Sequence, residues 1–178
     1  MIKRYPLVTI PLRNGLLAGV LGVIFPTTLY YLGRHPFLIP VYFDFRIILF
    51  SVMIVVTLKE FRDYYRQGIL FFWQGMVMSL LFTVIFSLIA SSLLWAFGHW
   101  KPEFVTQFVT LYKEQVRASP PPQIIDQIGK KAFEQNLKAL DATTAGDVAW
   151  LYAKQSFMIS FFVSIIISVI LRRQPNPK

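Results

Sequence analysis

Two long apolar stretches of this chain carry a small or hydroxyl-bearing residue at every fourth position, and that spacing constrains the fold more than any other feature. Residues 69–97 hold Gly75, Ser79, Thr83, Ser87 and Ser91; residues 155–171 hold Ser156, Ser160, Ser164 and Ser168. Positions four apart lie along one slanted ridge of a helix. In lipid, apolar side chains gain little by leaving the acyl tails, so helices join where small residues let their backbones approach. A serine hydroxyl can also bond to the backbone carbonyl one turn back, so the ladders need not line a polar path. The pattern predicts membrane helices packed through these nine residues. Each step of four turns the ridge by about 40° on an ideal helix. A ladder this long therefore crosses one partner steeply or meets two partners in succession, and the second case leaves a small-residue face free for another subunit.

The composition agrees. The chain is 55% hydrophobic with a mean hydropathy of +0.53, and only 15% charged, where soluble domains average about a quarter. A net charge of +9 would raise nucleic acid as a partner for a soluble protein. Here the basic residues cluster beside apolar spans, as topology signals and lipid-headgroup contacts do, so membrane lipids are the expected partner and nucleic acid is not. The lack of cysteine removes disulfides, thiolate catalysis and cysteine metal sites.

Four spans are predicted, over about residues 15–32, 42–60, 69–97 and 150–171. The first follows Lys3, Arg4 and Arg13, has small residues at Gly15, Ala18, Gly19 and Gly22, and is interrupted by Pro26, which removes a backbone donor and should kink it. No small-residue cleavage site follows, so it reads as a retained helix and not a signal peptide. The second is short: Ile47 to Leu58 is its whole uncharged core. It must extend backwards through Phe43 and Phe45, or the bilayer must thin. The third is the longest, with Trp73 and Trp95 toward its ends, where interfacial aromatics belong. Residues 98–149 form an amphipathic connection. Phe104, Val105, Phe108, Tyr112 and Val116 recur at helical spacing, Ser119–Pro120–Pro121–Pro122 makes a break, and a second amphipathic segment runs from about Gln123 to Leu140. This pair is expected to lie on the membrane surface or cap the bundle. Thr144-x-x-Asp147 is a capping box for the last helix. The fold class is all-α, a four-helix transmembrane bundle with two amphipathic helices between the third and fourth spans, forming one integral membrane domain over residues 1–178. Lys and Arg dominate the N-terminus, the second connection and the C-terminus, while acids accompany them elsewhere. Both termini are therefore expected in the cytoplasm.

Asp44 and Arg46 form the one candidate polar site. Ionisable residues inside a span are functional candidates, but at a span edge Arg can snorkel to the headgroups. A structural ion pair or anchor thus outweighs a proton- or ligand-linked role. Arg34 and His35 fall nearby. His35 and His99 lack a carboxylate motif and read as interfacial polar residues rather than metal ligands. Gln74 is expected to hydrogen-bond to a neighbouring helix. No Ser-His-Asp order, phosphate-cradling glycine loop or HExxH is present, so no catalytic, cofactor or metal residue is assigned and no cofactor is expected.

The stretch Lys-Glu-Phe-Arg-Asp-Tyr-Tyr-Arg-Gln-Gly-Ile-Leu-Phe-Phe-Trp-Gln-Gly, residues 59–75, the Arg-Asn-Gly that opens the first span and the Arg-Arg after the fourth resemble domain of unknown function 4199. That is an uncharacterised family of bacterial inner-membrane proteins common in Bacteroidota. The resemblance implies four spans and a bacterial inner membrane, and transfers no catalytic residue. The function expected is a non-enzymatic accessory or scaffold subunit, associating with another membrane protein or with itself. The alternative is a small transporter or lipid-handling protein with Asp44 and Arg46 at the mouth of a cleft.

Overall fold

The structure, a computed structural model, describes residues 5–118 and 122–174, the side chains of Val41 and residues 122–128 excepted. Lys3 and Arg4, and the Ser119–Pro121 part of the expected break, lie outside the described residues, as do the side chains of Ile124, Gln127 and Ile128. The described residues are all-helical apart from turns and one isolated bridge. Their main helices are α1 (Pro6–Tyr31), α2 (Phe45–Glu60), α3 (Phe72–Trp100), α4 (Pro102–Ala118), α5 (Pro122–Ala139) and α6 (Ala145–Leu171).

Three of them, α1, α3 and α6, are long and apolar enough to cross a membrane. The expected count of four is not met, because α2 has 16 residues and rises only about 24 Å against about 30 Å of hydrocarbon. Of the expected backward extension through Phe43 and Phe45, the helix takes in Phe45 only. Asp44 stops it there by accepting from the Arg46 amide at 2.9 Å, and a short 3-10 turn, Val41–Phe43, precedes it. The helix instead runs forward into a single π-turn, Phe61–Tyr65.

The other spans also differ in extent. α1 starts at Pro6, well before Gly15, with proline in its first turn, where a missing N–H costs nothing. It can include Arg13 and Asn14 because both have partners on α2: Arg13 meets Glu60 at 2.5 Å and Asn14 donates to Thr57 at 3.0 Å. It continues through Pro11 and Pro26. α6 begins at Ala145 behind the predicted capping box, in which Thr144 and Asp147 exchange side-chain and backbone hydrogen bonds. The second amphipathic segment is not one helix: Gly129, at φ 77° and ψ 154°, interrupts it.

α3 lies at the centre, packed between α1 and α6, while α2 rests mainly on α6. The two faces of α3 are built differently. Toward α1 it offers bulk to glycine: a Cβ on Gly19 would lie 2.8 Å from Ile89 Cβ, and one on Gly22 would lie 2.6 Å from the Phe86 ring. Toward α6 it offers small residues to small residues. The outer faces are apolar and exposed, Ile48, Leu88, Phe162 and Ile170 among them, as a lipid-facing surface requires. One end of the bundle gathers Arg13, the Lys59–Arg66 turn and Arg173, the last paired backbone to backbone with Leu70 at 2.8 and 3.0 Å. At the other end α4 docks through Phe104, Val105 and Val109.

Candidate functional site

The seam between α3 and α6 is antiparallel. A Cβ on Gly75 would come within 2.7 Å of the Ser168 hydroxyl, and two turns along, the Thr83 and Ser160 hydroxyls are hydrogen-bonded. The same offset sets Ser79 level with Ser164 and Ser87 level with Ser156. Ser79, Thr83, Ser87 and all four serines of α6 are buried; Ser91, at the end of the ladder, is half-buried. Part of the hydroxyl chemistry stays local: Thr83 donates to the Ser79 carbonyl at 2.8 Å and Ser91 to the Ser87 carbonyl. Such bonds keep a hydroxyl satisfied inside an apolar seam.

A second polar cluster sits where α1, α2 and α6 meet, and its centre is Arg46, only 4% exposed. Its Nε donates to both Asp44 carboxylate oxygens at 2.9 and 3.0 Å. Nη1 donates to the Tyr152 carbonyl at 3.1 Å and to Ser156 Oγ at 2.8 Å. Nη2 donates to Asp44 and, at 2.9 Å, to Gln155. Guanidinium carries five N–H donors, and these bonds engage every one. The cation also lies 4.4 Å from the centre of the Tyr152 ring. Burying an arginine so deeply is costly unless it is paired and hydrogen-bonded throughout, and here it is.

Tyr152 extends the cluster to α1. Its hydroxyl donates to the Gly22 carbonyl at 2.6 Å. In an uninterrupted helix that carbonyl would accept from the amide of residue 26, but Pro26 has no N–H. The tyrosine thus replaces the donor that proline removed, as freed backbone groups in membrane helices require. Gly22 lets the chains come this close.

The cavity beside Asp44 and Arg46 holds only about 20 Å³, lined by Phe25, Pro26, Phe37 and Tyr152 among others. That is room for about one water molecule. A larger groove lies elsewhere, on the outer face of the α3–α6 seam, with a volume of about 790 Å³.

At the α4 end His35 is buried, 4% exposed. Its Nε2 meets the Phe104 carbonyl at 3.1 Å and its ring stacks on Phe104 at 4.8 Å. A carbonyl only accepts, so Nε2 carries the proton and Nδ1, buried without a partner among the described residues, is bare. Burial pushes His35 down to about 4, against a smaller opposing effect of the Phe104 carbonyl. His99 is exposed and stacked on Trp95. Among the described residues Gln74 has no hydrogen bond to a neighbouring helix, contrary to expectation. Its side chain accepts from the Phe71 amide at 3.2 Å and closes the first turn of its own helix, where a free amide is always available. The sequence reading missed Tyr152, Asn14 and Thr57. Pro26 was the one signal, since it announces a carbonyl in need of a donor without saying which residue supplies it.

Long apolar helices joined by seams this close define an all-helical membrane protein. More narrowly, residues 13–173 match the family described as protein of unknown function (DUF4199), and the chain belongs to that family. No curated protein and no solved structure matches it.

Proposed function

We propose that the chain is a non-enzymatic accessory or scaffold subunit of a bacterial inner-membrane complex, held by contacts with membrane lipids and with another membrane protein or a second copy. The observation that carries this reading is Arg46: all five donors are engaged by protein acceptors, so the buried cation has none left for a ligand. The adjoining space of about 20 Å³ is far below the roughly 300–1,000 Å³ of a small-molecule site. A small transporter or lipid-handling protein is the second reading, favoured by the open α3–α6 groove rather than by the Asp44–Arg46 pair.

The topology proposed has four spans, α2 and its π-turn forming the second across a locally thinned bilayer. The end that gathers Arg13, Lys59–Arg66 and Arg173 would face the cytoplasm, together with both termini, and residues 98–149 would lie opposite. Because the chain has no cysteine, single cysteines at exposed Tyr64 and Glu103 test this cleanly. A membrane-impermeant maleimide applied to spheroplasts should label Glu103→Cys and spare Tyr64→Cys; the reverse pattern overturns the orientation, and labelling of both overturns the crossing by α3.

The scaffold reading predicts that affinity purification in a gentle detergent brings down a membrane protein, or a second tagged copy, in fixed ratio, and that Arg46→Met lowers stability without changing any solute flux in proteoliposomes. A chain that purifies alone while its proteoliposomes pass a solute would overturn it.

A further inference from the structure

The outer groove between α3 and α6 has chemistry that the seam does not need. Its floor is Ser87 and Ala153 and its walls are large apolar side chains, Phe157, Phe161 and Phe162 among them. Trp150 and Lys154 stand at one end, the ammonium lying 6.0 Å from the indole centre. Lys154 has no carboxylate partner among the described residues, and none lines the groove. The nearest acid along α6, Asp147, is held by the Thr144 cap. From Trp150 to Phe162 the wall runs about 18 Å along the helix, close to the depth of one leaflet.

The geometry points to a binding site for one anionic phospholipid of the surrounding bilayer. Its acyl chains fill the apolar groove over one leaflet. Its phosphate meets Lys154, whose stem climbs toward the indole of Trp150 at the headgroup level. A zwitterionic lipid fits the same groove but lacks the net charge that answers an unpaired lysine. A helix of another protein would fill the apolar walls and leave Lys154 unanswered.

The test is native mass spectrometry of the full chain released from nanodiscs containing equal phosphatidylglycerol and phosphatidylcholine. Wild type should retain one phosphatidylglycerol, favoured about five-fold over phosphatidylcholine, the discrimination one lysine near a headgroup supplies. Lys154→Gln, at an exposed position, should abolish the preference but keep a lipid bound. Leu88→Trp, which adds bulk at the exposed rim, should expel the lipid. Equal retention of both lipids by wild type, or a preference that survives Lys154→Gln, overturns the site. So does a co-purifying protein that crosslinks at Phe162 with no lipid retained, a result that would leave the scaffold reading standing.

Discussion

The α3–α6 seam and the Arg46 cluster, at the start of α2, both bury polar atoms among apolar helices, and they do so by opposite means. In the seam each hydroxyl is small, several bond to their own helix or directly across it, and the main effect is to let two backbones close together. In the cluster one long cation reaches from α2 to α6 and is saturated by Asp44 beside it and by three α6 residues more than a hundred positions away. Close packing through small residues tolerates loss of one hydroxyl, because no charge is left behind. A saturated buried cation does not tolerate loss of its counter-ion, because the whole desolvation penalty returns. The first device therefore fails by added volume, and the second by removed charge.

The comparison breaks most readily at the cluster. Asp44→Asn keeps a capping side chain but leaves Arg46 buried without a counter-ion, and should cost about 3–5 kcal/mol, read as lost thermal stability in detergent. Combining it with Arg46→Met should recover most of that loss. A double variant no better than the single one would show that the charge pair is not what matters there. Ser164→Ile and Ser87→Ile test the seam, where overpacking should cost about 1–3 kcal/mol, whereas Ser164→Ala should be nearly silent. If the alanine variant proves as damaging as the isoleucine one, the seam depends on hydroxyls and not on volume.

His35 sharpens the contrast, since it is a buried polar group left half-answered. Its native pKa of about 4 lies below the ordinary 6.5. The contribution of this contact is thus complete above pH 6.5 and is lost as the pH falls toward 4, by about 1.4 kcal/mol per unit. At pH 5 the docking of α4 should be about 2 kcal/mol weaker than at pH 7, seen as faster amide exchange in Phe104–Val109. His35→Gln should flatten that dependence. A smaller loss is expected of Tyr152→Phe, about 1 kcal/mol for one hydrogen bond inside a membrane protein. In a Pro26→Ala background, where residue 26 again has an N–H, its cost should shrink, and an unchanged cost would separate Tyr152 from the carbonyl that proline exposes.

The seam was legible in the sequence, but of the cluster only the Asp44–Arg46 ion pair was, for a physical reason. Serines at four-residue spacing define a ridge through local geometry alone, and the Thr144–Asp147 box and the amphipathic face of α4 are equally local. Arg46 meets Tyr152, Ser156 and Gln155 more than a hundred residues away, and Asn14 finds Thr57 across two helices. Composition carries no information about such pairings. The second span was misjudged at its boundary because Asp44, taken as a charge within an extended helix, instead caps the helix and fixes its start. Gln74 was misjudged because a side chain one turn into a helix has a free amide of its own to close before it looks to a neighbour.

The central claim is that the small-residue ridges of α3 and α6 face each other in antiparallel register. Disulfide formation in native membranes tests it directly, since the chain has no cysteine of its own. Thr83→Cys/Ser160→Cys should oxidise rapidly within one chain and shift its mobility on a non-reducing gel, as the hydrogen-bonded hydroxyls place these positions within disulfide reach. A Leu80→Cys/Phe162→Cys control on the exposed faces should remain reduced. Failure of the first pair with ready oxidation of the second would place the serines against lipid and contradict the account.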